Sequence, residues 1–186
     1  KARRRKCRQC REWFQPFNSM QKVCTTPACA LAEGRAEQER KAKRDLKRRK
    51  EAIKTRQEHL ADLQKAFNAY IRQRDYGRPC ISCGRKSGAK MTAGHYRAVG
   101  RGGGSPLRFN EINVHLQCEH CNSWNSGNAV EYRINLVRRI GPELVEWLER
   151  DHPPLKLTVE QIKALTAYYR NATKLLLEVP HGAEPF

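Results

Sequence analysis

Two Cys-x2-Cys pairs, Cys80/Cys83 and Cys118/Cys121, bracket a thirty-four-residue segment in the middle of the chain. Four thiolates at that spacing can close a tetrahedral zinc site, which staples a loop-rich segment too small to hold itself by core burial. Inside the staple lies Gly94-His95-Tyr96-Arg97, and Asn122 directly follows the last cysteine. A second set, Cys7, Cys10, Cys24 and Cys29, stands near the N-terminus. The expectation is about two structural zinc ions per chain, each closed by four sulfurs and without an open position for catalysis. No apolar run approaches the roughly 20 residues of a membrane span, and no signal-peptide core is visible. The cysteines therefore read as metal ligands in a reducing, cytoplasmic setting rather than as disulfides.

Charge narrows the partner. The net charge is +18 and the pI about 10.0, which implies a polyanion, nucleic acid first. The excess is uneven: residues 1–79 hold 23 Lys/Arg against 9 Asp/Glu, and the remainder 14 against 10. A mean hydropathy of −0.83 implies a modest core and much solvated surface.

The chain divides into four segments. Residues 1–29 form an N-terminal zinc module, with Trp13, Phe14 and Phe17 as its expected small core. Residues 30–77 are rich in Ala, Glu, Lys, Arg, Gln and Leu, hold no Pro, and predict one long basic helix ended by Gly77 and Pro79. Leu46, Ile53, Leu60 and Phe67 fall seven apart on it, a half-formed heptad seam that fits either an intermolecular coiled coil or packing within the chain. Its stretch Arg40–Lys50 carries eight Lys/Arg against one Asp, which favours phosphate contact by Arg44, Lys47 and Arg48. Residues 78–132 are the stapled core, and residues 133–186 a helical region. In the last, Gly141-Pro142 interrupts the apolar spacing and Thr158-x2-Gln161 resembles a capping box. The fold class expected is α+β, mostly helical.

The stapled segment has the groups that phosphodiester hydrolysis needs. A neutral histidine with an ordinary pKa of about 6.5 can take a proton from the attacking water at pH 7. The carboxamide oxygen of Asn122 suits a hard ion such as Mg²⁺ or Mn²⁺. If the second cysteine pair opens a helix, Asn122 lies in its first turn, opposite a strand that carries His95. The loop from Gly100 to Pro106 lacks the Gly-Lys-Ser/Thr ending of a P-loop and reads as a mobile loop beside the site.

Cys-x2-Cys, a histidine closing a strand, and then Cys-x2-Cys-Asn resembles the zinc-stapled HNH (ββα-metal) nuclease core and the arrangement of the phage endonuclease VII resolvases. More of the chain resembles the lambdoid phage NinG family, also called Rap. The matching stretches are Ala93-Gly94-His95-Tyr96-Arg97, Leu107-Arg108-Phe109-Asn110-Glu111, Asn113-x-His115-x-Gln117-Cys118, Cys121-Asn122 and Ser126-Gly127-Asn128-x2-Glu131-Tyr132-Arg133.

The resemblance implies a recombination endonuclease, acting inside a bacterial host on branched DNA such as Holliday junctions and displacement loops, and working as a homodimer. It implies His95 as general base, Asn113 as the residue orienting it, and Asn122 as a ligand of a catalytic Mg²⁺ or Mn²⁺. One departure stands out: where the HNH pattern has Asp before the base, this chain has Gly94. His115 is the first choice for a replacement ligand, ahead of Glu119 and Asn125, and fits equally a supporting core histidine. Arg97, Arg101 and Arg108 flank the site as candidate phosphate contacts. The rival reading is a non-catalytic, zinc-containing nucleic-acid-binding accessory protein.

Overall fold

In the computed structural model, which describes residues 3–86, 89–100 and 104–178, the long helix expected over residues 30–76 is two helices. The first, α1 (Pro27–Ala52), ends at Ile53, and the second, α2 (Arg56–Arg74), begins after a new N-cap at Thr55. Thr55 Oγ1 accepts from the Glu58 amide, and the Glu58 carboxylate accepts from the Thr55 amide at 2.7 Å. This reciprocal cap satisfies donors that a continuous helix would have used internally, and it starts a new helix there. The chain divides at the same point into two compact units, Lys1–Lys54 and Thr55–Phe186. The boundary expected at residue 77 therefore moves to the break between the helices.

The first unit pairs two short strands, β1 (Arg5–Lys6) and β2 (Trp13–Phe14), antiparallel with Arg5 opposite Phe14. Its expected aromatic core is absent: Trp13 and Phe17 are 57% and 84% exposed. Buried instead are Cys7 and Pro16, with Cys29 from the first turn of α1. With so little apolar burial, the cysteine set is what can hold this unit together. It carries 18 Lys/Arg against 6 Asp/Glu, and Arg44, Lys47 and Arg48 lie exposed on α1.

The second unit is built around a hairpin of β3 (Met91–His95) and β4 (Val114–Cys118), in register with Met91 opposite Cys118 and His95 opposite Val114. One face meets α2 and α5 (Val159–Glu178), where Leu60, Leu63, Phe67 and Ile71 cluster with Ile162, Tyr169, Ala93 and Val114. A second cluster gathers Ile81 and Leu107 with Tyr132 and Leu136 of α3 (Ala129–Ile140) and Val145 and Leu148 of α4 (Pro142–Glu149). The α2 half of the heptad seam thus packs within the chain, whereas Leu46 and Ile53 remain exposed. The Thr158 cap forms as expected, with the Gln161 side chain accepting from the Thr158 amide at 2.9 Å. The protein is accordingly a mostly helical α+β chain, with two small two-stranded sheets among the described residues. Among the described residues, no helix is long and apolar enough to cross a membrane.

Candidate functional site

Both cysteine sets are assembled. In each, the four sulfurs lie within 4.8 Å of one another. Cys83 and Cys118 Sγ stand 3.8 Å apart, as do Cys10 and Cys24. That is about the edge of a tetrahedron with Zn–S bonds of about 2.3 Å, and far from the roughly 2.05 Å of a disulfide. Backbone amides point at the sulfurs, from Cys118 to Cys80 and from Cys24 to Cys7, each at 3.3 Å. Such donors favour thiolates. Both sets can hold zinc, and the first Cys-x2-Cys turn of each ends alike, on a positive φ at Arg11 (66°) and at Gly84 (70°).

His95 ends β3. Its Nε2 lies 3.0 Å from the Arg108 carbonyl oxygen. A carbonyl only accepts, so Nε2 carries the proton and Nδ1 keeps the lone pair. Burial lowers the ring's pKa, the Arg108 charge adds to this, and the bond to the carbonyl works against both. The ring is therefore neutral at pH 7, in the state a base requires.

Asn113 is fully buried and addresses the main chain rather than the His95 ring. Its Oδ1 accepts from the Arg97 amide at 2.8 Å, and its Nδ2 donates to the Arg97 and Leu107 carbonyls. It clamps the chain leaving β3 to the chain returning toward β4, and so fixes His95 through the backbone.

Asn122 does not open an α-helix. It sits in a five-residue π-helical turn, His120–Trp124, and α3 starts only at Ala129. Its Nδ2 donates to Thr92 Oγ1 at 3.1 Å, which leaves Oδ1 as its uncommitted, hard oxygen. Strand alternation puts Thr92 and Gly94 on the face that Asn122 reaches and His95 on the other. The two side chains thus meet β3 on opposite faces and three residues apart, Asn122 at Thr92 and His95 at the strand's end.

His115 is removed from the ligand set. It is buried; Nε2 donates to the Ile112 carbonyl (3.1 Å), and Nδ1 faces the guanidinium groups of Arg74 (3.3 Å) and Arg139 (3.4 Å). Both nitrogens are engaged, and two cations beside them oppose a third. Asp75 is held by two bonds from Arg74 and one from the Leu116 amide. Burial works to raise the Asp75 carboxyl, but His115, Arg74 and that amide outweigh it and hold it far below the usual carboxylate range. Burial lowers the His115 pKa; Asp75 raises it and the two arginines lower it further. The expected result is a His115 ring that titrates below the ordinary imidazole value of about 6.5, read from its ring nitrogen shifts against pH; titration at or above that value would contradict this arrangement. Because the unfolded chain takes up that proton below about pH 6.5, His115's share of stability is lost as pH falls from there. Asp75's share is lost only below about pH 4.

Of the other candidates, Glu119 accepts from Lys90 (2.7 Å) and Glu111 from Tyr70 (2.9 Å). Arg108 is committed to Gln64 and to the Gly100 carbonyl. The Arg97 side chain is exposed and unbonded among the described residues. Arg101 lies outside the described residues.

Sequence reasoning missed Gln117. It pairs across the hairpin with Thr92, is fully buried, and donates through Nε2 to Ser82 Oγ (2.7 Å) and the Gly127 carbonyl (2.6 Å). Its Oε1 is buried without a hydrogen-bond partner among the described residues. A Cβ on Gly94 would lie 2.0 Å from that oxygen. Glycine at 94 and glutamine at 117 are therefore one arrangement. Tyr132 completes it by donating to the Gly94 carbonyl at 2.9 Å. Only the strand register reveals the pair; spacing along the sequence does not.

Residues 1–178 match the family model described as Bacteriophage Lambda NinG protein. The chain is 40% identical to "Protein ninG" of Escherichia phage lambda, with 94% of each chain covered, and shows the same identity and coverage with those of Escherichia phage 933W and Salmonella phage P22. The chain belongs to the NinG family. No solved structure matches it. In this NinG chain the Gly94–Gln117 contact gives a direct expectation: Gly94→Asp lowers the unfolding free energy by about 1–3 kcal/mol through overpacking. In urea denaturation, Gln117→Ala recovers part of that loss in the double variant; strict additivity would show that the two sites do not meet.

Proposed function

We propose that this protein is a metal-dependent DNA endonuclease with an HNH-type ββα core, cutting branched DNA as a homodimer during recombination. The observation that carries the reading is His95, at the end of β3, held as the Nε2–H tautomer by the Arg108 carbonyl while Asn122 is tied to the same strand through Thr92. In this reading the phosphate lies along the edge of β3, between His95 and Asn122. His95 Nδ1 takes the proton of the attacking water. Asn113 keeps the histidine's backbone in place, and the exposed guanidinium of Arg97 holds a neighbouring phosphate. Asn122 Oδ1 is the atom of this chain that would hold Mg²⁺ or Mn²⁺, an ion whose part is to stabilise charge on the phosphate and the departing oxygen. The two zinc ions are structural. The basic surface of α1, with Arg44, Lys47 and Arg48, gives steeply salt-dependent binding to the DNA backbone.

Branch specificity is tested by competing a four-way junction against linear duplex of the same sequence. Preferential cutting of the junction is expected, and equal rates would remove that part of the proposal. Gly94 favours one rival, a non-catalytic accessory protein that binds junctions, because no carboxylate stands where the HNH pattern has one.

A further inference from the structure

Away from His95, at the other end of the hairpin, a cleft of about 370 Å³ opens between the end of α2 and the first cysteine turn. Its floor is apolar, made by Met91 and Leu116, and its rim carries Arg72, Arg78, Lys86 and Tyr76. Gly77, at φ 78°, turns the chain between Tyr76 and Arg78, a conformation other residues resist. The three cations are exposed, and none makes a side-chain hydrogen bond or ion pair with a described residue. Arg74, on the same helix, is by contrast used on Asp75, His115 and the main chain. Three unpaired like charges around one cleft repel one another, and a bound anion relieves this.

We infer that this cleft seats a nucleic-acid strand, with a phosphodiester on Arg72, Arg78 and Lys86 and an unpaired base against Tyr76 and Met91. Cations beside an aromatic face over an apolar floor are what a single-stranded segment requires. Duplex would offer the phosphate without the base, and a simple anion would leave the apolar floor unused. Met91 and His95 lie on the same face of β3, four residues or about 13 Å apart. The inference rests on the nucleic-acid reading above and adds to it a contact for the unpaired strand of a branch.

The test is binding of the full chain to a fluorescein-labelled junction with unpaired bases at its centre, followed by anisotropy without added Mg²⁺ or Mn²⁺. Arg72→Ala/Arg78→Ala is expected to bind on the order of tenfold more weakly, with the slope of log affinity against log salt reduced by about 1.5. Lys163→Ala/Arg170→Ala, which removes the same charge from α5, is expected to change affinity far less. Tyr76→Ala weakens binding and Tyr76→Phe retains it. Equal losses in the two double variants, or wild-type affinity and slope in Arg72→Ala/Arg78→Ala, would overturn the assignment. Displacement of the junction by millimolar mononucleotide would overturn the strand in favour of a free nucleotide. None of these readouts involves cleavage: a chain that binds through the cleft but never nicks sinks only the nuclease reading, and one that nicks without using the cleft sinks only this inference.

Discussion

Cys118→Ser is expected to lose one of two zinc ions per chain and to unfold the hairpin that carries His95. Each strand of that hairpin has five residues, and an isolated two-stranded hairpin is marginal in water. Its connection runs from residue 96 to residue 113, too long to act as a tight turn. Cys118 is the last residue of β4, opposite Met91, so a zinc held by it would close the open end of the ladder. A structural zinc site contributes on the order of 10–16 kcal/mol of apparent binding energy, more than a domain's usual net stability. Metal analysis should give a zinc content falling from two to one, with loss of the second unit's thermal transition. The first unit has its own cysteine set and should keep its ion. Retention of both ions with unchanged melting would show that the sulfurs do not form a metal site.

The staple was legible because ligand spacing survives without knowledge of the fold: Cys80, Cys83, Cys118 and Cys121 read the same in sequence and in space. The C-terminal helices were legible for a similar reason, since Gly141-Pro142 and the Thr158 cap act locally. The break at Ile53 was also written in the sequence, as Thr55-x2-Glu58, but the strong helix formers on both sides masked it. Spacing left His115 open between ligand and core histidine, because the partners that decide between them, Arg74, Asp75 and Arg139, are distant in sequence. The Gly94–Gln117 contact depends on strand register, which no spacing rule supplies. Trp13 and Phe17 were misplaced because a metal, rather than an apolar core, can hold so small a unit.

His95→Ala is expected to lower junction cleavage by about 10²–10⁴-fold, the usual contribution of a positioned general base, with junction affinity within about twofold of wild type. Among the described residues the ring's hydrogen bond is to the Arg108 carbonyl alone, so removing it costs the hairpin little. A histidine of lowered pKa also predicts the pH profile. Activity needs the neutral ring, so its acid-side fall is centred below the ordinary imidazole value of about 6.5, as the ring takes up a proton. An affinity loss as large as the rate loss would make His95 a binding residue.

We propose that this NinG-family chain cuts branched DNA with a hard divalent cation, despite glycine at the position before His95. The most direct measurement is a synthetic four-way junction incubated with zinc-replete protein across a Mg²⁺ and Mn²⁺ series and resolved on a sequencing gel. Discrete nicks near the branch point, dependent on the added cation and absent with His95→Ala, are the predicted result. Tight junction binding with no nick under any of those ions would contradict it and leave the non-catalytic accessory protein as the better account.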